Sequence, residues 1–239
     1  MSKFALITGG SRGIGKAISH YFAQRGYSLL LLSLNRENLE RTKEELTSKF
    51  TSCHVETICV DLNCLVEVET VMTSIIQKKG TIDALVNSAG ILVAGNTGLR
   101  CKKVSEVVNI NLTSTITICN LVAEKMKDQS FGEIYNLGST AGFNSVPKIA
   151  VYSAIKAAVF SYSQSLYYEL LPFGVKVCCL CPSVVDTDMT NDGRIDNKLK
   201  INAEDLTKAL EFIQSLSPGA AVSSLTIRCR VIDLENGPS

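Results

Sequence analysis

Phe4-Ala-Leu-Ile-Thr8-Gly9-Gly-Ser-Arg-Gly13-Ile-Gly15 is the stretch on which the reading of this chain turns. Its apolar head, 4–7, suits a short buried strand. Glycines then crowd the run from Gly9 to Gly15. Beyond them Ile18, Tyr21 and Phe22 recur at helical spacing until Gly26 ends the pattern. The order is strand, glycine turn, helix. Glycines let a backbone pass close to a pyrophosphate, and a helix N-terminus offers it unpaired N–H groups and the positive end of the dipole. The spacing Gly9-x-x-x-Gly13-x-Gly15 departs from the Gly-x-Gly-x-x-Gly of the commonest dinucleotide fingerprint. An ordinary strand-to-helix turn would need fewer glycines.

The alternation continues to the end of the chain. Residues 29–32 form a continuous apolar run, as in a parallel strand buried on both faces. Residues 37–50 read as a surface helix with Leu39 and Leu46 inward. Further strands are expected at 55–60, 82–86, 133–137 and 174–180, and helices at 65–79, 99–127, 150–171 and 204–216. The last apolar and polar alternation, 225–231, predicts an edge strand. It would carry Leu225, Ile227, Cys229 and Val231 on one side, with Arg228 and Arg230 discouraging further pairing. Strands alternating with helices define one α/β domain over 1–239, a doubly wound parallel sheet with helices on both faces. Ligands of such sheets bind beyond the carboxyl ends of the strands. The glycine loop, Asn87, Ser139 and Pro182 all follow strands, so they share one rim.

Composition narrows the function. The 239 residues are 46% hydrophobic and 20% charged with a formal net charge of +1, which argues against a nucleic-acid binder. Nine scattered cysteines suit reduced thiols in a cytoplasmic protein better than a disulfide framework. Cys178-Cys-Leu-Cys181 contains Cys-x-x-Cys spacing inside an apolar run, which fits buried strand thiols better than redox or metal use. With only His20 and His54, a His-based metal site has little to draw on. No apolar run approaches membrane-spanning length.

A second constellation lies at Ser139 and Tyr152-Ser-Ala-Ile-Lys156. On a helix the four-residue step sets phenol and ammonium on one face, and an ammonium there would favour the phenolate. A hydroxyl at Ser139 could donate to an oxygen that gains negative charge. Asn109 and Asn111 interrupt a helical stretch, either for packing or for function. After the second strand no carboxylate precedes Glu37, so nothing there would repel a 2′-phosphate. Ser33, Asn35, Arg12 and Arg36 favour NADP(H) over NAD(H), unless the two arginines are merely solvated charges. Asp61, closing the third strand, could accept from an adenine amino group or cap the next segment.

In order and spacing, Thr8-Gly9-x-x-x-Gly13-x-Gly15, Asp61, Asn87-Ser-Ala-Gly90, Asn111, Ser139, Tyr152-x-x-x-Lys156 and Pro182-x-x-x-x-Thr187 resemble the short-chain dehydrogenase/reductase family over nearly the whole chain. The resemblance implies a Rossmann-type sheet of about seven strands in the order 3-2-1-4-5-6-7. It implies Tyr152 as general acid in reduction and base in oxidation, and Ser139 holding the substrate oxygen. Lys156 would bind the nicotinamide ribose and depress the Tyr152 pKa, and Asn111 would hold a water of a proton relay. Cofactor contacts would come from Gly9, Ser11, Arg12, Gly13, Ile14, Gly15, Ser33, Asn35, Asp61, Leu62, Asn87, Ala89, Gly90, Tyr152, Lys156, Pro182, Val185 and Thr187. Dimers or tetramers would form through helices 102–127 and 150–171.

Departures from the family pattern refine the expectation. Ser183 stands where Pro-Gly is usual, and Leu34 where NADP-using relatives often place Arg. The lid, 190–203, is short and polar with few apolar anchors, which suits a small or solvent-extended substrate. The expected activity is hydride transfer between NADP(H) and a carbonyl or secondary alcohol. The 3-oxoacyl-carrier-protein reductases are the most similar group. An acidic carrier would need basic contacts such as Lys102, Lys103, Lys125, Lys127 and Lys148. A non-catalytic NADP(H)-binding sensor is the other class of function.

Overall fold

A computed structural model of the chain describes residues 2–236. Seven parallel strands form one sheet in the order β3-β2-β1-β4-β5-β6-β7. They are β1 (Phe4–Thr8), β2 (Ser28–Ser33), β3 (Val55–Cys59), β4 (Ala84–Asn87), β5 (Gly132–Leu137), β6 (Val175–Pro182) and β7 (Ser224–Ile227). The helices between and after them are α1 (Gly13–Gln24), α2 (Arg36–Lys49), α3 (Leu65–Lys78), α4 (Cys101–Val108), α5 (Ser114–Gln129), α6 (Ala150–Leu170), α7 (Ala203–Ser215) and α8 (Arg230–Asn236).

Unbroken apolar strands make sense because both faces of the sheet are dry. Along β2, Leu29 and Leu31 enter one core while Leu30 and Leu32 enter the other, as strand alternation requires. The first core is closed by Ile18, Tyr21 and Phe22 of α1, Leu39 and Leu46 of α2, and Leu206 and Leu210 of α7. The second is closed by Met72 of α3, Ile118 and Val122 of α5, and Leu166 and Leu170 of α6. No helix among the described residues is long and apolar enough to cross a membrane.

Two expected elements come out differently. The stretch 99–127 is not one helix: a π turn at Asn109–Thr113 separates α4 from α5. Asn111 donates its side-chain amide to the Val107 carbonyl at 2.9 Å and to the Ile91 carbonyl at 3.1 Å, while its oxygen accepts from the Ile91 N–H at 3.1 Å. The side chain thus competes for helix carbonyls, a common origin of such turns. The alternation at 225–231 also misleads. The strand stops at Ile227, and Cys229 and Val231 belong to the approach and start of α8. Arg228 reaches forward to Asp233 through Nε and Nη2, both at 2.6 Å, and Cys229 Sγ donates to the Leu199 carbonyl at 3.4 Å. The local Arg228–Asp233 pair and the anchor of Cys229 on Leu199 turn the chain into a helix rather than prolonging an edge.

Candidate active site

The glycine loop leaves β1 against β2 and the end of β4. Gly9 donates to the Leu32 carbonyl at 2.7 Å and holds φ at +66°; a Cβ there would stand 2.8 Å from Ala89 Cα. Thr8 Oγ1 accepts from the Ala89 N–H at 3.2 Å, tying the two loops together. Gly15 packs on the Gly9 carbonyl with no room for a Cβ, and a Cβ at Gly13 would face Thr187 Cγ2 at 3.1 Å. Arg12 precedes α1 without a side-chain cap, and the first turn holds no acid. An open helix N-terminus over a side-chain-free cradle fits a dinucleotide pyrophosphate. Ile14 follows Gly13 in that first turn, half-buried.

The predicted contacts beyond the cradle divide into two kinds. Ser11 Oγ donates to Ser33 Oγ at 2.9 Å, so these two stand together at the end of β2. Arg12 and Arg36 are exposed nearby in sequence and make no ion pair among the described residues. Asn35, by contrast, caps α2 by accepting from the Asn38 N–H at 2.8 Å. Asp61 accepts from the Asn63 N–H at 2.9 Å, closing a tight turn, and Leu62 is buried in the second core. Asn87 points inward: its amide donates to Asn136 Oδ1 at 2.9 Å and to Cys119 Sγ at 3.1 Å. Asn111 likewise spends its side chain on Ile91 and Val107, leaving its carbonyl, which accepts from Thr115 Oγ1 at 3.3 Å. A Cβ at Gly90 would meet Asn111 Oδ1 at 2.6 Å, so that glycine makes room for the amide.

Ser139, Tyr152 and Lys156 converge where β5 ends and α6 begins. Ser139 Oγ accepts from the Ala141 N–H at 3.1 Å, capping a short 3-10 turn at Thr140–Gly142. Gly142 lies against the Lys156–Ala157 backbone so tightly that a Cβ would stand 2.8 Å from Ala157 N. This packing carries the Ser139 loop back onto α6. Lys156 is buried, donates to the Leu137 carbonyl at 2.6 Å, and holds its Nζ 5.5 Å from the Tyr152 ring centroid. Burial pushes the Tyr152 phenol up to about 12, and a hydrogen bond from Ser139 pulls the other way. Burial draws Lys156 down to about 8, with Cys179 and Cys181 opposing. Burial, and not the ammonium one turn away, therefore sets the direction in which the phenol shifts.

Beyond Pro182 the chain folds over the same rim. Val185 bridges Ile201, and Thr187 and Thr190 form a reciprocal cap. Thr190 Oγ1 donates to the Val185 carbonyl at 2.5 Å. Lys200, buried, donates to the Thr190 carbonyl at 2.7 Å and to Asn197 Oδ1 at 2.8 Å. The lid is thus better anchored than its polar sequence implies. Thr190 and Lys200 went unrecognised as site-supporting residues, although Thr187-x-x-Thr190 has capping-box spacing.

A parallel sheet with a glycine cradle and a Ser, Tyr and Lys cluster on one rim has the form of a nucleotide-dependent oxidoreductase. Residues 3–198 match the family model described as short chain dehydrogenase. The chain belongs to that family, whose members bind a nicotinamide cofactor, and is an enzyme acting on CH–OH or C=O groups. An uncharacterised oxidoreductase of Staphylococcus epidermidis is 30% identical over 227 residues, covering 95% of this chain and 96% of the relative. Among solved structures, a beta-ketoacyl-[ACP] reductase from Bacteroides thetaiotaomicron superposes with a TM-score of 0.85 at 27% identity, over 98% of this chain and 100% of that one. A short-chain dehydrogenase from Sphingobium yanoikuyae in complex with NADPH gives 0.83 at 25% identity, over 98% and 92%.

Proposed function

We propose that this enzyme reduces a carbonyl to a secondary alcohol with NADPH, Tyr152 serving as the proton donor. The observation that carries the reading is the cluster itself: a buried Lys156 ammonium beside Tyr152, with Ser139 at the end of the strand whose Leu137 carbonyl holds that ammonium. When bound, the nicotinamide supplies the hydride. Ser139 donates a hydrogen bond to the carbonyl oxygen as charge grows on it. Tyr152, a phenol that carries its proton at neutral pH, releases it to that oxygen. Lys156 holds a ribose hydroxyl and supports the phenolate left behind, and the Asn111 carbonyl positions a water of the refilling relay.

The glycine cradle of Gly9, Gly13 and Gly15 would hold the pyrophosphate. Asp61 and Leu62 would flank the adenine, the backbone of Asn87, Ala89 and Gly90 the ribose, and Pro182, Val185 and Thr187 the nicotinamide amide. The preference for NADP(H) rests on Ser11 and Ser33 with Arg12 and Arg36, which make no ion pair among the described residues.

A carrier-protein substrate is a second reading, favoured by the likeness to the Bacteroides reductase. Lys103 is paired with Glu106, and Lys127 with Glu124 and Glu169. Lys102, Lys125 and Lys148 would then carry most of the docking charge. The test is protein-dependent loss of NADPH and NADH absorbance against an acetoacetyl thioester, diketones, quinones and a small keto acid, with Tyr152→Phe as control. Turnover preferring NADPH and collapsing in the variant supports the reading. Preference for NADH refutes the cofactor assignment. Binding of NADPH without any turnover favours a sensor.

A further inference from the structure

Two thiols of the Cys178–Cys181 run lie directly behind this cluster. Cys179 and Cys181 project from the same face of β6, their sulfurs 3.6 Å apart, and both are fully buried. They sit under Gly138, the residue between Leu137 and Ser139. A Cβ at Gly138 would stand 2.7 Å from Cys181 Sγ and 2.8 Å from Cys179 Sγ. Gly138 is not among the residues with positive φ. Its φ therefore does not call for glycine, and the space taken by the sulfurs is what does. The Gly138 N–H donates to the Leu180 carbonyl at 2.8 Å, which presses this peptide onto the strand that carries both sulfurs.

On either side of Gly138 hang the two groups that matter. The Leu137 carbonyl holds the Lys156 ammonium at 2.6 Å, and Ser139 carries the hydroxyl that caps the Thr140–Gly142 turn. We infer that Cys179 and Cys181 are positioning residues: their paired sulfurs form the floor that sets the height of the Leu137–Ser139 peptide. Lysine ammonium and serine hydroxyl are thereby held in register with the phenol. The sulfurs touch neither substrate nor cofactor; they act through Gly138. The inference rests on the proposed roles of Ser139, Tyr152 and Lys156.

Exchanging volume across this contact tests it. Gly138→Ala is expected to lower kcat with NADPH about tenfold or more, as misplacement of a reacting group does. The Kd for NADPH, set mainly by the glycine cradle, should change less than about threefold, a range small beside the tenfold step. Adding Cys179→Ala and Cys181→Ala to Gly138→Ala removes the obstructing sulfurs and should recover most of the lost kcat. That triple variant should nevertheless melt below wild type, because sulfur packing is gone. Recovery of kcat without recovery of the wild-type melting temperature is what a purely structural role would not produce. Should Gly138→Ala fail to fold, the Cys179→Ala/Cys181→Ala pair alone is expected to lower kcat by dropping the floor. A fully active Gly138→Ala, a triple variant no faster than the single, or a cysteine pair as fast as wild type would overturn the inference. If Tyr152→Phe retains full turnover, the proposed function fails first, separately from the floor.

Discussion

Tyr152 and Lys156 show how much a residue's surroundings add to its spacing. Burial holds the phenol near 12 and brings the ammonium down to about 8, so both donors keep their protons at neutral pH. Tyr152→Phe is expected to lower kcat by about three orders of magnitude or more, consistent with the size of general acid catalysis, while NADPH binding survives. Stopped-flow reduction at saturating NADPH would check it. The Lys156 shift also has a consequence for stability. Below about 8, folded and unfolded chains both carry the ammonium, and the fold bears the whole cost of burying it. Between about 8 and 10.5 the unfolded chain binds a proton that the folded one has released, so stability rises with pH. Lys156→Met should therefore melt above wild type at neutral pH, with the gap closing as pH approaches 10.5. Melting curves of the two proteins across that range decide it.

Among the elements, the glycine turn and the lid make opposite demands. At Gly9 the backbone is left-handed and a Cβ would stand 2.8 Å from Ala89 Cα. Gly9→Ala should cost about 1–3 kcal/mol from the strained conformation alone and abolish detectable NADPH binding by fluorescence titration. The lid depends instead on one hydroxyl. Thr190 Oγ1 joins the Val185 carbonyl to the Thr187 turn, and the Thr190 carbonyl receives Lys200. Thr190→Ala should raise the KM for NADPH several-fold with kcat nearly unchanged, a loss of about 1 kcal/mol from one hydrogen bond. An unchanged KM would detach the lid from cofactor retention. The same scale shows where periodicity misleads. At 225–231 the alternation is real, yet Arg228 binds Asp233 within the next seven residues and a helix forms. At Asn111 a side chain borrows helix carbonyls and inserts a π turn that helix propensity does not encode.

For the molecule as a whole, the α6 face left outside the core carries Ala154, Ser161, Ser165 and Tyr168, all exposed and in helical register. Ala154, Ser161 and Ser165 would allow close approach of another α6, in keeping with the homo-oligomer that the family resemblance implies through 102–127 and 150–171. Sedimentation should give two or four times the 25.9 kDa chain mass, and Ser161→Arg should shift the protein toward monomer. A wild-type monomer would remove the oligomer. The sequence alone determined the alternation of strands and helices in one doubly wound sheet and the shared rim, and it singled out Ser139, Tyr152 and Lys156 as candidates. Apolar period, glycine spacing and residue type are local properties, and each survives without knowledge of the partner. Tertiary structure decided what those residues face. Asn87 and Asn111 turned inward to hold backbone and sheet, Asn35 became a cap, and burial raised the Tyr152 phenol instead of Lys156 lowering it. The sulfurs under Gly138 belong to the same class, because a contact between neighbouring strands depends on register, which no single stretch of chain contains.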